Sequence, residues 1–260
     1  MATQLIHGLA VEIDGDGDAL LCIHGLGGSS NTWTPLLAAL SDFRVIRPDL
    51  PGSARSSLLQ EPLSIEGYAL KLEALLSALG IETVHVVAHS LGTIVAQHLA
   101  VRNPSKVKSL ALFGPLVAPP DAARPNILAR AAIARGGAVA MQEIADAIVK
   151  AATSRETKVE QPAVLALVRE SVMRQSPEGY AQSCEALAAA QSARIERIGI
   201  PTLLVTGDQD GVAPPANVAV MSSRIAGSRQ VVFDGCGHWT TFEKPRRCMQ
   251  ELERFHASLC

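Results

Sequence analysis

Three side chains that could together perform nucleophilic chemistry lie far apart in the chain: Ser90, Asp210 and His238. A serine hydroxyl is a weak nucleophile until a base takes its proton, and that base works only when a third group orients it. Ser90 sits in Ala88-His89-Ser90-Leu91-Gly92. A β-rich apolar run ends at Ala88, and Leu91, Ile94, Val95 and Leu99 follow with helical spacing. This pattern predicts a sharp strand-to-helix turn, with small residues at the two crowded flanks. Such a turn lifts the hydroxyl clear of the sheet, close to the positive end of the helix. An ordinary strand-to-helix turn has the same pattern, so the other candidates must decide. The strand at 201–206 ends in Gly207-Asp208-Gln209-Asp210, and the strand at 230–234 ends in Gly235-Cys236-Gly237-His238. In a parallel sheet all three loops fall on the edge where ligands bind.

Two carboxylates compete for the acid. Asp210 stands further out on its loop and is the better placed to reach the next one, whereas Asp208 reads as a turn or cap aspartate. The remaining histidines lack a glycine-rich setting at a strand end. His7, His98 and His256 read as surface or packing residues, and His85 lies inside a strand. His89 occupies the elbow and is expected to point away from the Ser90 hydroxyl.

His24-Gly25-Leu26-Gly27-Gly28 follows one strand, and Asp49 ends the next. This layout approaches a dinucleotide-binding fingerprint and motivates a nicotinamide-dependent alternative. However, Ser30 replaces the third glycine, and that reading leaves the other three loops unexplained. The favoured reading is an oxyanion loop, in which the Leu26 and Leu91 N–H groups face a tetrahedral intermediate.

These residues need a scaffold. A length of 260 residues allows one α/β domain with an insertion. Strands are expected at 3–14 (two edge strands joined at Gly8), 19–23, 43–48, 83–88, 107–113, 201–206 and 230–234. Helices are expected near 32–40, 64–79, 91–102, 215–225 and 242–259. Strands alternating with helices imply a doubly wound, mostly parallel sheet. From Ala118-Pro119-Pro120 to about Arg197 the patterns are helical only, over 127–133, 139–150, 163–173 and 179–190. The division is therefore a core of 1–118 and 198–260 with a helical cap at 119–197. Small cap residues, Ala151, Ala152 and Ala188 to Ala190, point to an apolar pocket.

A net charge of −2, without a dense basic run, argues against a nucleic-acid binder. Five scattered cysteines with no CxxC pair favour free thiols in a reducing compartment and give no zinc site. The N-terminal residues lack the layout of a signal peptide, and no apolar run reaches membrane-spanning length. A cytoplasmic protein without metal, membrane or nucleic-acid partner is the expectation; the oligomeric state is left open.

With the elbow, His24-Gly25, Gly207–Asp210 and Gly235–His238 together, the chain resembles the α/β-hydrolase superfamily over essentially its whole length. The resemblance implies that fold with an inserted cap, a catalytic Ser90, Asp210 and His238, an oxyanion hole at Leu26 and Leu91, and no cofactor. A serine nucleophile sets it apart from the branches that attack with aspartate. In the cap, residues 163–169 and 177–187 are similar to 3-oxoadipate enol-lactonases. The elbow, the Pro51–Ser56 turn and Lys150–Thr153 depart from that group's usual motifs. The expected reaction is hydrolysis of a small carboxylic ester or lactone. C–C bond hydrolysis of ring-cleavage products is the alternative on the same residues, and an idle ligand receptor is the alternative outside catalysis. Strict use of a dicarboxylate would need a cationic clamp, with Arg130, Arg135 and Arg169 the first candidates.

Overall fold

The apolar runs that mark the strands pair into one eight-stranded sheet in a computed structural model, which describes residues 3–259. In chain order the strands are β1 (Thr3–Ile6), β2 (Leu9–Asp14), β3 (Asp18–Ile23), β4 (Phe43–Pro48), β5 (Val84–His89), β6 (Val107–Phe113), β7 (Thr202–Gly207) and β8 (Arg229–Phe233). They lie in the order β1-β2-β4-β3-β5-β6-β7-β8. The first two pairings, β1 with β2 and β2 with β4, are antiparallel; the rest are parallel. Of the two expected edge strands, only β1 is an edge. β2 is covered on its other side by β4, which explains why Leu9, Ala10 and Val11 are buried.

The central strands are covered on both faces and so read as unbroken apolar runs. Helices α1 (Ile65–Ala78), α2 (Leu91–Arg102) and, near β7 and β8, α8 (Pro215–Arg224) cover one face. The other face takes the 3₁₀ segment Ser30–Leu40 and α10 (Pro245–Ala257), through Trp33, Leu36, Leu40, Cys248, Leu252 and Phe255. The expected helix at 32–40 is thus 3₁₀ with Pro35 inside it, begun by a capping box at Ser29 and Thr32. The expected helix at 242–259 is two pieces, α9 (Thr240–Glu243) and α10, divided at Lys244 because Pro245 has no N–H to continue the first.

Five α-helices, not four, lie between β6 and β7, flanked by two short 3₁₀ turns: α3 (Arg124–Ala134), α4 (Ala138–Ala152), α5 (Arg155–Glu160), α6 (Pro162–Met173) and α7 (Pro177–Ala189). α5 has no apolar stripe, so hydrophobic spacing gave no sign of it. Its start is set instead by Ser154, whose Oγ accepts from Thr157 N at 3.0 Å. Four of them, α3, α4, α6 and α7, pack around a separate apolar cluster, which includes Ala131, Met141, Ile144, Val168, Val172 and Tyr180.

Polar and steric ties fasten these helices to the sheet's loops. Gln175 Nε2 donates to the Gly28 carbonyl at 3.1 Å, and Ser171 Oγ to that of Gly27 at 2.7 Å. At the start of α7, Gly179 packs directly on the Gly52 carbonyl, leaving no room for a Cβ.

Candidate active site

β5 ends at His89, and Ser90 turns the chain into α2 with φ 52° and ψ −123°. A non-glycine residue at positive φ is strained by about 1–3 kcal/mol and persists only where its surroundings hold it. Here Ser90 N donates to the Phe113 carbonyl at 3.0 Å, while the Ser90 carbonyl accepts from Thr93 N and Oγ1 at 2.8 and 2.6 Å. Gly92 is obligatory next to it: a Cβ there would press into the Ile23 and His24 carbonyls.

The structure brings Ser90, His238 and Asp210 into one hydrogen-bonded series. Ser90 Oγ–H donates to His238 Nε2 at 2.8 Å, and His238 Nδ1–H donates to Asp210 Oδ2 at 2.8 Å. All three are buried, though Ser90 keeps 9% exposure. Asp210 Oδ1 accepts from the Val212 and Ala213 amides, each at 2.8 Å. Burial alone raises this carboxyl's pKa. The adjacent His238 ring and these hydrogen bonds outweigh it and hold the pKa down to about 2. Asp208 instead accepts from Cys236 N at 3.0 Å, so it fastens the loop carrying His238 rather than its ring.

The loop 24–28 meets the elbow head-on, since a Cβ on Gly25 would stand 2.7 Å from Ser90 Cβ. Leu91 N is the first amide of α2, and neither it nor Leu26 N donates to a protein acceptor among the described residues. The peptide that carries Leu26 N–H is fixed through its carbonyl. Gly25 O accepts from His24 Nδ1 at 2.8 Å and from Gly28 N at 3.0 Å. Leu50 N donates to His24 Nε2 at 2.8 Å, which places the ring proton on Nδ1. Burial lowers the His24 pKa and keeps the ring neutral in this role.

Asp49 does not act as a ribose-binding acid would. It is fully buried, with Oδ1 taken by Ser30 N at 2.7 Å and Oδ2 by Arg55 Nε at 2.8 Å. Its work is to hold the same loop from behind, and the dinucleotide reading loses its acid.

Sequence reasoning missed two neighbours of His238. Gly114, which reads as a strand stop, lies against the imidazole. His89 Nε2–H donates to the His238 carbonyl at 2.8 Å, with the two rings 5.0 Å apart. Burial and the neighbouring His238 push the His89 pKa down to about 3, so it stays neutral there. The apolar cluster of α3, α4, α6 and α7 also takes in Leu26 from one side of the site and Trp239 from the other. Of the small residues expected to line a pocket, Ala152 belongs to this cluster, whereas Ala151 and Ala189 face solvent and Ala190 packs into the sheet-side core.

Residues 18–245 match the family described by the alpha/beta hydrolase fold. The chain belongs to this family. It is 30% identical over 274 residues to an uncharacterized protein of Mycobacterium tuberculosis, covering 97% of this chain and 80% of that one. It is 26% identical to 3-oxoadipate enol-lactonase 1 of Acinetobacter baylyi, over 96% of this chain and 94% of the relative. Among solved structures it resembles a thermophilic esterase from Thermogutta terrifontis, at TM-score 0.90, 26% identity and 96% and 93% coverage of the two chains. It also resembles an enol-lactonase from Burkholderia xenovorans, at TM-score 0.89, 27% identity and 98% and 100% coverage. The α/β-hydrolase fold expected from the motifs is therefore the fold of this hydrolase. No helix among its described residues is long and apolar enough to cross a membrane.

Proposed function

We propose that this hydrolase cleaves small carboxylic esters or lactones through an acyl-enzyme on Ser90. The observation that carries the reading is the unbroken series Ser90 Oγ, His238 and Asp210, with both links at 2.8 Å. Ser90 Oγ attacks the carbonyl carbon as its proton passes to His238 Nε2. The negative charge on the former carbonyl oxygen is taken up by the Leu26 and Leu91 N–H groups. Asp210, already ionised, stabilises the imidazolium. That cation returns its proton to the departing alkoxide, which leaves as the alcohol. Water then loses a proton to His238, attacks the acyl carbon and releases the acid, restoring Ser90–H.

Residues 119–197 act in this reading as a cap over a core of 1–118 and 198–260, shaping the pocket without supplying nucleophile, acid or base. An apolar acyl group suits that pocket better than a dicarboxylate. Arg135 is bound by Glu178 and Glu185, and Arg169 by Asp146. That leaves Arg130, beside Tyr180 and Cys184, as the remaining cation of the three candidates.

The test is a fluorophosphonate probe followed by peptide mass spectrometry, with p-nitrophenyl acetate as substrate. The label is expected on Ser90, with turnover abolished in step. A fully active Ser90→Ala variant would end this mechanism.

A further inference from the structure

The three successive amides around His238 are all taken up, and two of them by one buried side chain. Glu243, 2% exposed, accepts from Gly237 N at 3.0 Å through Oε2 and from Trp239 N at 3.1 Å through Oε1. The same Oε2 also accepts from Ser154 N and from Thr157 Oγ1, each at 2.8 Å. Ser154 and Thr157 belong to the corner between α4 and α5, in the helical insert. His238 N, between the two amides held by Glu243, donates to the Ala152 carbonyl at 2.8 Å, at the end of α4. The fit is tight. A Cβ on Gly237 would stand 2.7 Å from Ala152 O and 2.8 Å from both Glu243 Oε1 and Ser154 N. Alongside, Lys244 Nζ pairs with Glu156 Oε1 at 2.6 Å, a second bond between the stretch after His238 and α5.

We infer that Glu243 is a positioning residue for His238, and that it sets the histidine loop against the α4–α5 corner of the insert. The inference rests on the acyl-enzyme reading above. The ring of His238 is held by only two side-chain bonds, to Ser90 and Asp210, so its placement depends on where its backbone is fixed. Glu243 fixes that backbone on both sides at once and ties it to Ser154 and Thr157. One carboxylate thereby makes the insert part of the frame that aims the base. A buried acceptor serving four donors cannot be replaced by an amide, whose NH₂ would face N–H groups.

The experiment measures the rate at which the fluorophosphonate probe acylates Ser90, together with kcat and KM for p-nitrophenyl acetate, in wild type, Glu243→Gln and Thr157→Val. A labelled, active wild type establishes the reading on which the inference rests; its failure to label at Ser90 would count against that reading, not this one. Given labelling, Glu243→Gln is expected to slow probe reaction and kcat by about 10²-fold, the scale of a displaced reacting group, with KM nearly constant. Thr157→Val removes one donor and no core contact of the sheet, and is expected to slow both by about fivefold even if the first variant does not fold. A folded Glu243→Gln that loses thermal stability but reacts at the wild-type rate overturns the positioning role, as does a rise in KM at constant kcat. Thr157→Val reacting at the wild-type rate overturns the link to the insert.

Discussion

Gly114 lies against the imidazole of His238: a Cβ at position 114 would stand 2.8 Å from the ring's Cε1 and 2.9 Å from Nδ1. The residue also has φ 56°, a region side chains disfavour, and its N–H donates to the Val205 carbonyl at 2.8 Å. Ring and glycine form one fitted pair, so Gly114→Ala is expected to push His238 off Asp210 and Ser90. We expect a fall in kcat of about 10²-fold, with the fold retained by circular dichroism. A variant within twofold of wild type would show that the ring has slack that the packing here denies it.

Asp210→Asn is expected to lower kcat by about 10⁴-fold, because an amide no longer favours the proton on Nδ1 and misdirects the other ring nitrogen toward Ser90. Asp208→Asn keeps an oxygen for Cys236 N and is expected to change kcat less than about fivefold. Steady-state kinetics on both variants checks the ranking, and its reversal would reassign the acid.

His24→Ala removes the donor that fixes the Gly25–Leu26 peptide and leaves Leu50 N without its acceptor. We expect kcat to drop by about 10- to 10²-fold with KM little altered, since the lost interaction serves the charge that develops after attack. Loss confined to KM would place His24 in substrate binding instead.

His89 gives a signed pH effect. Its folded pKa of about 3 lies below the unfolded value near 6.5, so below pH 6.5 the unfolded chain takes up a proton that the folded chain refuses. Folding stability is therefore lost as pH falls from 6.5 toward 3. By pH 4 this one group costs about 3 kcal/mol. His89→Gln keeps a donor for the His238 carbonyl and escapes the penalty. Urea melts at pH 7 and pH 4 are expected to show a smaller acid loss in the variant; an equal loss would mean that His89 is protonated without opening the fold.

The apolar cluster over the site predicts loose discrimination among acyl groups, about 1–3 kcal/mol per methylene. Rates on p-nitrophenyl acetate, propionate, butyrate and hexanoate are expected to decline or rise gradually. Turnover of one enol-lactone dicarboxylate, with none of these esters, would shift attention to Arg130.

The positions of Ser90, Asp210 and His238 were legible because each closes a strand with a turn composition of its own, and a parallel sheet delivers such ends to one edge. Leu26 likewise stands in a loop that follows a strand end, β3. What escaped were residues whose role depends on a distant partner. Glu243 reads as one more charged residue at the start of a C-terminal helix, and nothing local signals Ser154 and Thr157 above it. α5 escaped because a polar cap, not an apolar stripe, builds it. The break before α10 is written in Lys244-Pro245, inside a longer periodic run that masks it.

The meeting of Gly52 and Gly179 bears on how such a chain can be recombined. Both partners are backbone, so neither can retreat to a different rotamer when the other changes. A chimaera that takes residues 119–197 from a relative inherits this joint only if the donor brings a glycine to the start of α7 and the recipient's turn at 51–53 follows the same path. Any larger residue at position 179 must lift α7 off the loop and, through α6, pull Ser171 and Gln175 from the carbonyls of Gly27 and Gly28. The helices between β6 and β7 are exchanged together with their seat or not at all.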